Sequence, residues 1–362
     1  MVTKYQAASE ITNRALAKAV ALVKPGASVL AVCKEVDDFI ASTCASSFNK
    51  QKQADGRPLD KGPAFPCCIS INSVAAHFSP VEGCELVIRE GDVCGIDLGC
   101  HIDGWITVGA HTVVAQADPA APVTGKAADV IAAANTVMEV ALRTIKAGAE
   151  TGSAGDLFQE VAEAYGCNMC EGVLSHNMKR FQIDGNKVVL DRTTHDQKVE
   201  INEIEQAEVY AIDIVVSTGE GKLKLQDEKE TSVYKTDKSV VYNLKMKASR
   251  AFFSEVMSKF PDTPFTIRAL EDQRAAKLGV KECIDHGLLM DYPVLHEAKD
   301  EIVAHFKSTV LLMPSGNQRI TSHPLQELQT DKKVTDEKIL ALLAQPLKKK
   351  KKKKKAKAAS EE

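Results

Sequence analysis

Apolar positions in the first fifty residues recur at the spacing of two amphipathic helices. Residues 4–24 and 28–48 both place an apolar side chain every three or four positions. Pro25 and Gly26 interrupt the first pattern, and Ser28 offers an N-cap for the second helix. Two helices are therefore predicted here, followed by a polar surface loop.

A pair of antiparallel strands is predicted around Asp103-Gly104, because this dipeptide is a strong signal for a two-residue turn. With the turn at that point, Gly99 faces Val108. Since side chains alternate along a strand, Asp97 lies on the same face as Val108, diagonally opposite at roughly 7–8 Å between backbones. Two carboxylates in these positions would converge on a cation, but a valine offers no ligand.

The rest of the chain alternates between helical and extended patterns. Helices are predicted over residues 122–147, 151–164, 247–259 and 338–343. A further helix containing Ile267, Leu270 and Leu278 is predicted to break at Gly279. Strands are predicted from residue 65, where the strand leads into a turn carrying His77, and over 207–214 and 302–313. The lysine-rich residues 219–247 are predicted to form a basic, mobile connection.

One short sequence occurs in two similar versions. The run from Gly91 to Leu98 resembles the run from Ala207 to Ile214, and both contain Ile-Asp. This suggests a duplicated αβ unit that closes around a shared site, with Asp213 as its second carboxylate. Chance similarity of two short strands is the alternative.

Composition places the chain among large globular proteins. It has 362 residues, of which 44% are hydrophobic, and no run approaches the length of a membrane span. The N-terminus has no apolar signal region, so an intracellular protein without membrane insertion is expected. The ten cysteines are then expected to be buried thiols, including the single CxxC pair, Cys167 and Cys170.

The charge is distributed unevenly. The net charge is −3, yet nine of the 46 basic residues lie within residues 348–357. The body is therefore acidic and the end is strongly basic. Eight consecutive lysines repel one another and have no apolar surface to bury, so residues 348–362 are predicted to be disordered.

Five pieces of sequence, in order, resemble type II methionine aminopeptidases. They are Ala-Ala-His77-Phe-Ser-Pro, Ile-Asp97-Leu-Gly, Leu-Ser-His176, Tyr-Ala-Ile-Asp213 and Val-Ala-His-Phe-Lys307-Ser-Thr-Val-Leu-Leu. The resemblance implies an α+β class protein with the pita-bread fold over residues 1–325 and a type II helical insertion at residues 232–298. Residues 326–347 are expected to form a linker with a short helix.

The resemblance also implies where a metal site would lie. Active members hold two divalent metals with Asp, Asp, His, Glu and Glu. These ligands fall in order on Asp97, Val108, His176, Asp213 and Lys307. A histidine on the substrate side matches His77, and a second family histidine falls on Asp184.

Two of these replacements are expected to abolish metal binding. At about 4 Å and an effective dielectric near 20, the Lys307 ammonium would repel a divalent cation by roughly 8 kcal/mol. Val108 removes a hard oxygen ligand as well. Lys307 is instead predicted to pair with Asp97 and Asp213, and neither a metal nor another cofactor is expected.

Several runs resemble the proliferation-associated, ErbB-receptor-binding proteins, which are catalytically inactive relatives of the aminopeptidases. Among them are Glu-Gly-Val-Leu-Ser-His176, Ser217-Thr-Gly-Glu-Gly-Lys222 and the terminal polylysine. This resemblance implies a monomeric, non-catalytic, growth-regulating scaffold of the cytoplasm, nucleus and nucleolus that takes part in ribosome biogenesis. Its implied partners are the ribosome, ribosomal RNA and other structured RNA, together with proteins of growth signalling.

Basic side chains are the candidate RNA contacts. A polylysine tail binds phosphates without sequence preference, although it is also typical of a solubilising or nuclear-targeting segment. The start of the helix predicted at 247–259 is a second candidate, with an ordinary solvated helix face as its alternative. The candidates are Lys348, Lys349, Lys350, Lys351, Lys352, Lys353, Lys354, Lys355, Lys222, Lys224, Lys245, Lys247 and Arg250.

Two further functions stay open. A residual aminopeptidase would hold one metal with Asp97, His176 and Asp213 and use His77 beside the substrate. A peptide-binding module would hold nascent N-termini in the old pocket without cutting them. Taken singly, each of these histidines is better explained as a core side chain, and His101, His111 and His305 are given no role.

Overall fold

A computed structural model of the chain describes residues 1–53, 55–152, 154–194 and 199–348. The helices of the described part are α1 Val2–Leu22, α2 Val29–Ser46, α3 Gly125–Thr144, α4 Gly155–Glu163, α5 Lys247–Lys259, α6 Gln273–Asp285 and α7 Glu337–Leu343. The strands are β1 Lys61–Ile71, β2 Val74–Ala76, β3 Val93–Ile102, β4 Trp105–Val114, β5 Asn168–Met169, β6 Leu174–Met178, β7 Val188–Leu190, β8 Val209–Ser217, β9 Lys224–Leu225, β10 Val233–Thr236, β11 Phe265–Thr266, β12 Leu289–Tyr292, β13 Leu295–His296, β14 Val303–Met313 and β15 Gly316–Arg319.

A nine-stranded antiparallel sheet forms the centre of the fold. Its main path runs β1-β3-β4-β14-β8-β6-β7, with β15 paired to β14 and β5 paired to β8. The Asp103-Gly104 turn joins β3 and β4, and Gly99 pairs with Val108, as the sequence predicted. The long strand expected near residues 302–313 is confirmed as β14, which lies between the two halves of the sheet.

Helices cover one face of this sheet. Along β3, Ile96 and Leu98 point into a core with α1 and α2. Along β8, Ile212 and Ile214 point into a second core with α3 and α4. Because side chains alternate along each strand, Asp97 and Asp213 lie on the opposite face, away from these helices.

A smaller unit packs over the end of the sheet and has its own hydrophobic core. It contains the three-stranded sheet β11-β10-β12 and the helices α5 and α6. The expectation of a mobile connection over residues 219–247 was wrong for β10, where Val233 is fully buried and pairs with Tyr292. The bounds 232–298 for the insertion stay a prediction.

The predicted helix break at Gly279 was also wrong. Residues 267–269 form only a single 3₁₀ turn, and α6 continues through Gly279 to Asp285. A Cβ atom at Gly279 would lie 2.8 Å from Cβ of Phe252 on α5. The glycine therefore serves close helix packing rather than helix termination.

Residues 326–347 are more closely attached than a linker would be. Leu328 pairs with Val123 in a parallel bridge, and Val334 and Ile339 are buried in the α3 and α4 core. The predicted short helix is confirmed as α7.

All ten cysteines lie in the described ranges as free thiols, and nine of them are buried, which agrees with their predicted role as small hydrophobic side chains. Across the described ranges, no helix is long and apolar enough to cross a membrane.

Candidate functional site

Four strands bring the candidate residues into one row across the sheet. Asp97 on β3 pairs with Ala110 on β4, Ala110 pairs with Lys307 on β14, and Lys307 pairs with Asp213 on β8. Directly paired side chains point to the same face of a sheet. The small side chain of Ala110 leaves the space across which Lys307 reaches Asp97.

Lys307 makes ion pairs with both carboxylates. Its Nζ lies 2.6 Å from Oδ2 of Asp97 and 3.0 Å from Oδ2 of Asp213. The lysine is 7% exposed and Asp97 is 1% exposed. The ammonium also lies 5.4 Å from the centroid of the Phe65 ring. The pairing predicted for Lys307 is therefore present, as a buried ion cluster.

The ionisation of this cluster is set by opposing effects. Burial by itself lowers the pKa of Lys307, but the charges of Asp213 and Asp97 outweigh burial and raise it above its ordinary value. Burial likewise raises the pKa of Asp213, yet Lys307 and His305 bring it well below the usual range. The lysine and Asp213 are consequently both charged at neutral pH.

His305 belongs to the same cluster, although it was given no role from the sequence. Its Nε2 lies 2.6 Å from Oδ1 of Asp213. His305 precedes Lys307 by two positions on β14, so both side chains occupy one face of the strand. This spacing is the sequence signal by which the histidine could have been found.

Asp213 is also held by a hydroxyl. Oγ of Ser175 accepts a hydrogen bond from the Asp213 backbone N–H at 2.9 Å and donates to Oδ1 of Asp191 at 3.0 Å. Burial, followed by the charge of Asp213, raises the pKa of Asp191 well above its ordinary value. Burial therefore disfavours the charged form of Asp191, whereas Lys307 and His305 favour the charged form of Asp213.

The arrangement does not fit the divalent metals that the fold implies. The Lys307 ammonium occupies the space between the two carboxylates, and Val108 packs in an apolar cluster with Phe65 and Cys68. Oδ1 of Asp97 is buried and has no hydrogen-bond partner among the described residues, but the other oxygen of that carboxylate already binds Lys307. Within the described ranges, no three His, Cys, Asp or Glu side chains are placed to hold a metal ion.

The other matched residues border a cavity of about 300 Å³ beside this cluster. His77, His176 and Asp184 line it together with Asp213 and His305. Burial, followed by the Lys307 ammonium, lowers the pKa of His77 to about 4, so this ring is neutral at pH 7.

Asp184 occupies the position of the second family histidine. Its Oδ2 accepts hydrogen bonds from Nζ of Lys235 and, at 2.7 Å, from the Tyr292 hydroxyl. Burial raises its pKa, but Lys235 and His176 reverse this, and the net shift is downward. Asp184 is thus an ionised carboxylate whose charge is matched by Lys235.

The candidate RNA contacts lie on separate elements. Lys222 is exposed and pairs with Glu220 at 3.2 Å, and Lys224 is exposed on β9. At the start of α5, Lys245 and Lys247 are exposed.

Arg250 and the tail complete this set. Nη1 of Arg250 donates to the backbone oxygens of Leu244 and Lys245, which leaves less of its guanidinium for a ligand. Lys348 is exposed and forms an antiparallel bridge with Gly316. The lysines from Lys349 to Lys355 lie outside the described residues.

The central sheet, its helical layer and the row of former ligand positions define a class of protein. Residues 3–229 match the family described as metallopeptidase family M24, and the chain therefore belongs to that family. Within it, the chain groups with the ErbB-3-binding and proliferation-associated proteins, to which it is 41–51% identical.

Three of these relatives match along almost the whole chain. ErbB-3 binding protein 1 of Solanum tuberosum is 51% identical over 96% of this chain and 88% of its own length. Proliferation-associated protein A of Dictyostelium discoideum is 41% identical over 96% and 89%. The curved DNA-binding protein of Schizosaccharomyces pombe is 38% identical over 96% and 90%.

Solved structures agree with the fold predicted from the sequence. A thermophilic Arx1 matches with a TM-score of 0.88 and 29% identity, over 96% of this chain and 98% of its own. The methionine aminopeptidase of Thermotoga maritima matches with a TM-score of 0.57 and 17% identity, over 89% and 96%. The second likeness shows the pita-bread fold alone.

Proposed function

We propose that this protein is a non-catalytic scaffold, built on an aminopeptidase fold, that associates with RNA and with the ribosome. One observation carries the loss of catalysis, namely the Lys307 ammonium bound to both Asp97 and Asp213. A metallopeptidase lowers the pKa of a metal-bound water to obtain its nucleophile. In the described part of this chain, a protein cation occupies the place where such a metal would bind.

A metal-binding assay with a restored variant tests this step. Differential scanning fluorimetry of the natural protein should give the same unfolding temperature with and without millimolar Mn²⁺ or Co²⁺. The double variant Val108→Asp/Lys307→Glu regains both missing carboxylates, so its unfolding temperature should rise with metal. Absence of a metal effect in the variant would show that these two positions are not what prevents binding.

The residual aminopeptidase is the competing outcome. It requires stoichiometric metal in the natural protein by elemental analysis and cleavage of a Met-Ala-Ser peptide. Metal held by Asp97, His176 and Asp213 together with such cleavage would overturn the non-catalytic proposal.

Charge and relatedness support the nucleic-acid part of the proposal. Eight consecutive lysines begin at Lys348, and Lys348 itself is exposed on the surface of the protein. The Schizosaccharomyces pombe relative is named a DNA-binding protein, and the Solanum tuberosum relative is named for binding ErbB-3. We extend nucleic-acid contact to this chain and include growth-signalling proteins among its partners. Its proposed compartments are the cytoplasm, the nucleus and the nucleolus.

Deletion of residues 348–357 tests the role of the tail. Each phosphate neutralised on a duplex contributes a slope of about −0.9 to the dependence of log affinity on log salt. The truncated protein should therefore bind structured RNA more weakly, with a shallower slope, and co-sediment less with ribosomes. The variant Lys222→Ala/Lys224→Ala removes two body lysines as a comparison. An unchanged slope after truncation would assign RNA binding to the body instead.

A further inference from the structure

A second cavity lies where the smaller unit of α5 and α6 meets the central sheet. It has a volume of about 490 Å³ and is bordered by α2, by β1 and by the segment between α5 and α6. Because β1 is the edge strand of the sheet, this junction cavity opens beside the edge and not at the ion cluster. Cavities of this size at the junction of two structural units are typical binding sites for small molecules.

The wall of the junction cavity is mainly apolar and offers few hydrogen-bond donors. Pro63 and Pro66 on β1 line it, together with Pro264, and a proline has no backbone N–H. The half-buried ring of Phe260 also lines it and is stacked on Phe265, with the ring centroids 5.7 Å apart. Because these rings are flat and rigid, they favour a ligand that presents an aromatic ring.

A buried ion pair holds one side of the junction cavity in place. Arg268 is 8% exposed, and its Nη2 lies 2.5 Å from Oδ2 of Asp37. Nη1 of Arg268 donates to Oγ of Ser79 at 3.0 Å and to the Pro80 oxygen at 2.6 Å. Oδ1 of Asp37 accepts a hydrogen bond from the Cys67 backbone N–H at 2.8 Å. Both charged side chains are therefore satisfied within the protein, and this side of the cavity is preformed.

One carboxylate that lines the junction cavity has no compensating charge among the described residues. Lys34 is paired with Glu82, and Arg268 is paired with Asp37. The Asp38 side chain is exposed and forms no ion pair with any residue of the described ranges. The solvent side of the cavity consequently carries one net negative charge, which favours a cationic ligand.

We propose that the junction cavity binds an arylalkylamine, which is a flat aromatic ring joined by a short chain to an ammonium group. The ring packs against the prolines and Phe260, and the ammonium lies beside the Asp38 carboxylate. A ligand with a carboxylate would meet the charge of Asp38, and an aliphatic amine would leave the flat rings uncovered. The inference goes beyond the scaffold function proposed above, because this site shares no residue with the ion cluster or the tail.

Isothermal titration of the full chain with four probes tests this proposal. In a low-salt buffer, tryptamine should bind at least threefold more tightly than tryptophol, which carries a hydroxyl in place of the ammonium. Indole-3-propionate, which carries a negative charge, should bind more weakly than either, and n-butylamine, which has no ring, should bind at least tenfold more weakly than tryptamine. The preference for tryptamine over tryptophol should decrease at high salt, because an exposed ion pair is screened. Equal affinities for tryptamine and indole-3-propionate, or no binding of tryptamine, would overturn the assignment.

Two variants and a control locate the binding. Asp38→Asn should lower the affinity for tryptamine to that for tryptophol and leave tryptophol binding as it is, because only the charge is lost. Ala41→Trp places a large ring at the cavity from an exposed position on α2, so it should weaken both probes by at least tenfold. Asp285→Asn removes an exposed carboxylate at the end of α6 that does not line the cavity, and it should change neither affinity.

Unfolding temperatures show that the variants remain folded. Unchanged binding of tryptamine in both Asp38→Asn and Ala41→Trp, with unfolding temperatures like that of the natural protein, would place the ligand elsewhere. This readout uses neither RNA nor metal, so it fails or succeeds separately from the proposed function.

Discussion

Lys307→Met should be among the most destabilising single changes in this protein. Methionine keeps a similar length but no charge, so Asp97 and Asp213 would remain buried without their shared cation. At distances of 2.6 and 3.0 Å, an effective dielectric near 20 gives attractions of about 6 and about 5.5 kcal/mol. Desolvation of three ions, at several kcal/mol each, offsets most of this gross attraction.

The mutation should lower the free energy of unfolding by more than the cluster contributes in net stability, because it leaves two buried carboxylates without a compensating positive charge. Removing one partner of a buried ion pair costs about 3–5 kcal/mol, and we expect a decrease of that size in the free energy of unfolding. One of the two carboxylates should then take up a proton near neutral pH, since like charges at close range raise a pKa. The decrease should accordingly become smaller as the pH is lowered.

Urea unfolding followed by circular dichroism measures this free energy, and Lys259→Met is the matched control. Lys259 also pairs with two carboxylates, Glu255 and Glu271, but it is exposed, so its loss should cost less than about 1 kcal/mol. Adding Asp97→Asn to Lys307→Met should recover stability, because it removes one of the two negative charges that would repel each other. Equal costs for the two lysine variants, or no recovery in the double variant, would refute the account of a shared buried cation.

Two further changes probe side chains that are not part of the cluster. Gly279→Ala should destabilise the protein by about 1–3 kcal/mol in thermal unfolding, because the new Cβ would lie 2.8 Å from Phe252; a neutral effect would contradict close packing of α5 and α6. His111→Phe should shift acid unfolding to lower pH and leave stability at pH 8 nearly unchanged. Burial, followed by His323 and Arg319, lowers the pKa of His111 to about 3. Below about pH 6.5 the unfolded chain therefore binds a proton at this histidine that the folded protein does not bind. This difference destabilises the folded protein by an amount that approaches roughly 4–5 kcal/mol near pH 3. An unchanged acid midpoint would show that His111 is not a source of acid lability.

Sequence patterns predicted the parts of the fold that are formed by residues close together in the chain. The Asp103-Gly104 turn fixes the register of β3 and β4, so the relation of Asp97 to Val108 followed from the alternation of side chains. β10 was missed because its partners, β11 and β12, come much later in the chain, while its own neighbourhood is rich in lysine. Pairing between distant segments cannot be predicted from a short stretch of sequence.

The candidate site shows the same division. The ion pairs of Lys307 with Asp97 and Asp213 could be predicted because the family resemblance assigns each former ligand position to one residue of this chain. The spacing of His305 and Lys307 places both side chains on one face of β14, but the contact of His305 with Asp213 depends on how β14 pairs with β8. This pairing joins segments that are distant in the chain, so no short stretch of sequence shows it.

The ion cluster also explains how the fold remains closed where a metal is not expected. Asp97 belongs to the N-terminal half of the sheet and Asp213 to the C-terminal half, and β14 runs between them. In a metallopeptidase, cations would hold carboxylates from both halves together, and without any cation these charges would repel one another across the centre of the sheet. Lys307 lies on the strand that separates the halves and reaches both. Replacement of a metal ligand by lysine at this position therefore supplies the compensating charge within the chain itself, so that removing metal chemistry need not open the structure that carried it.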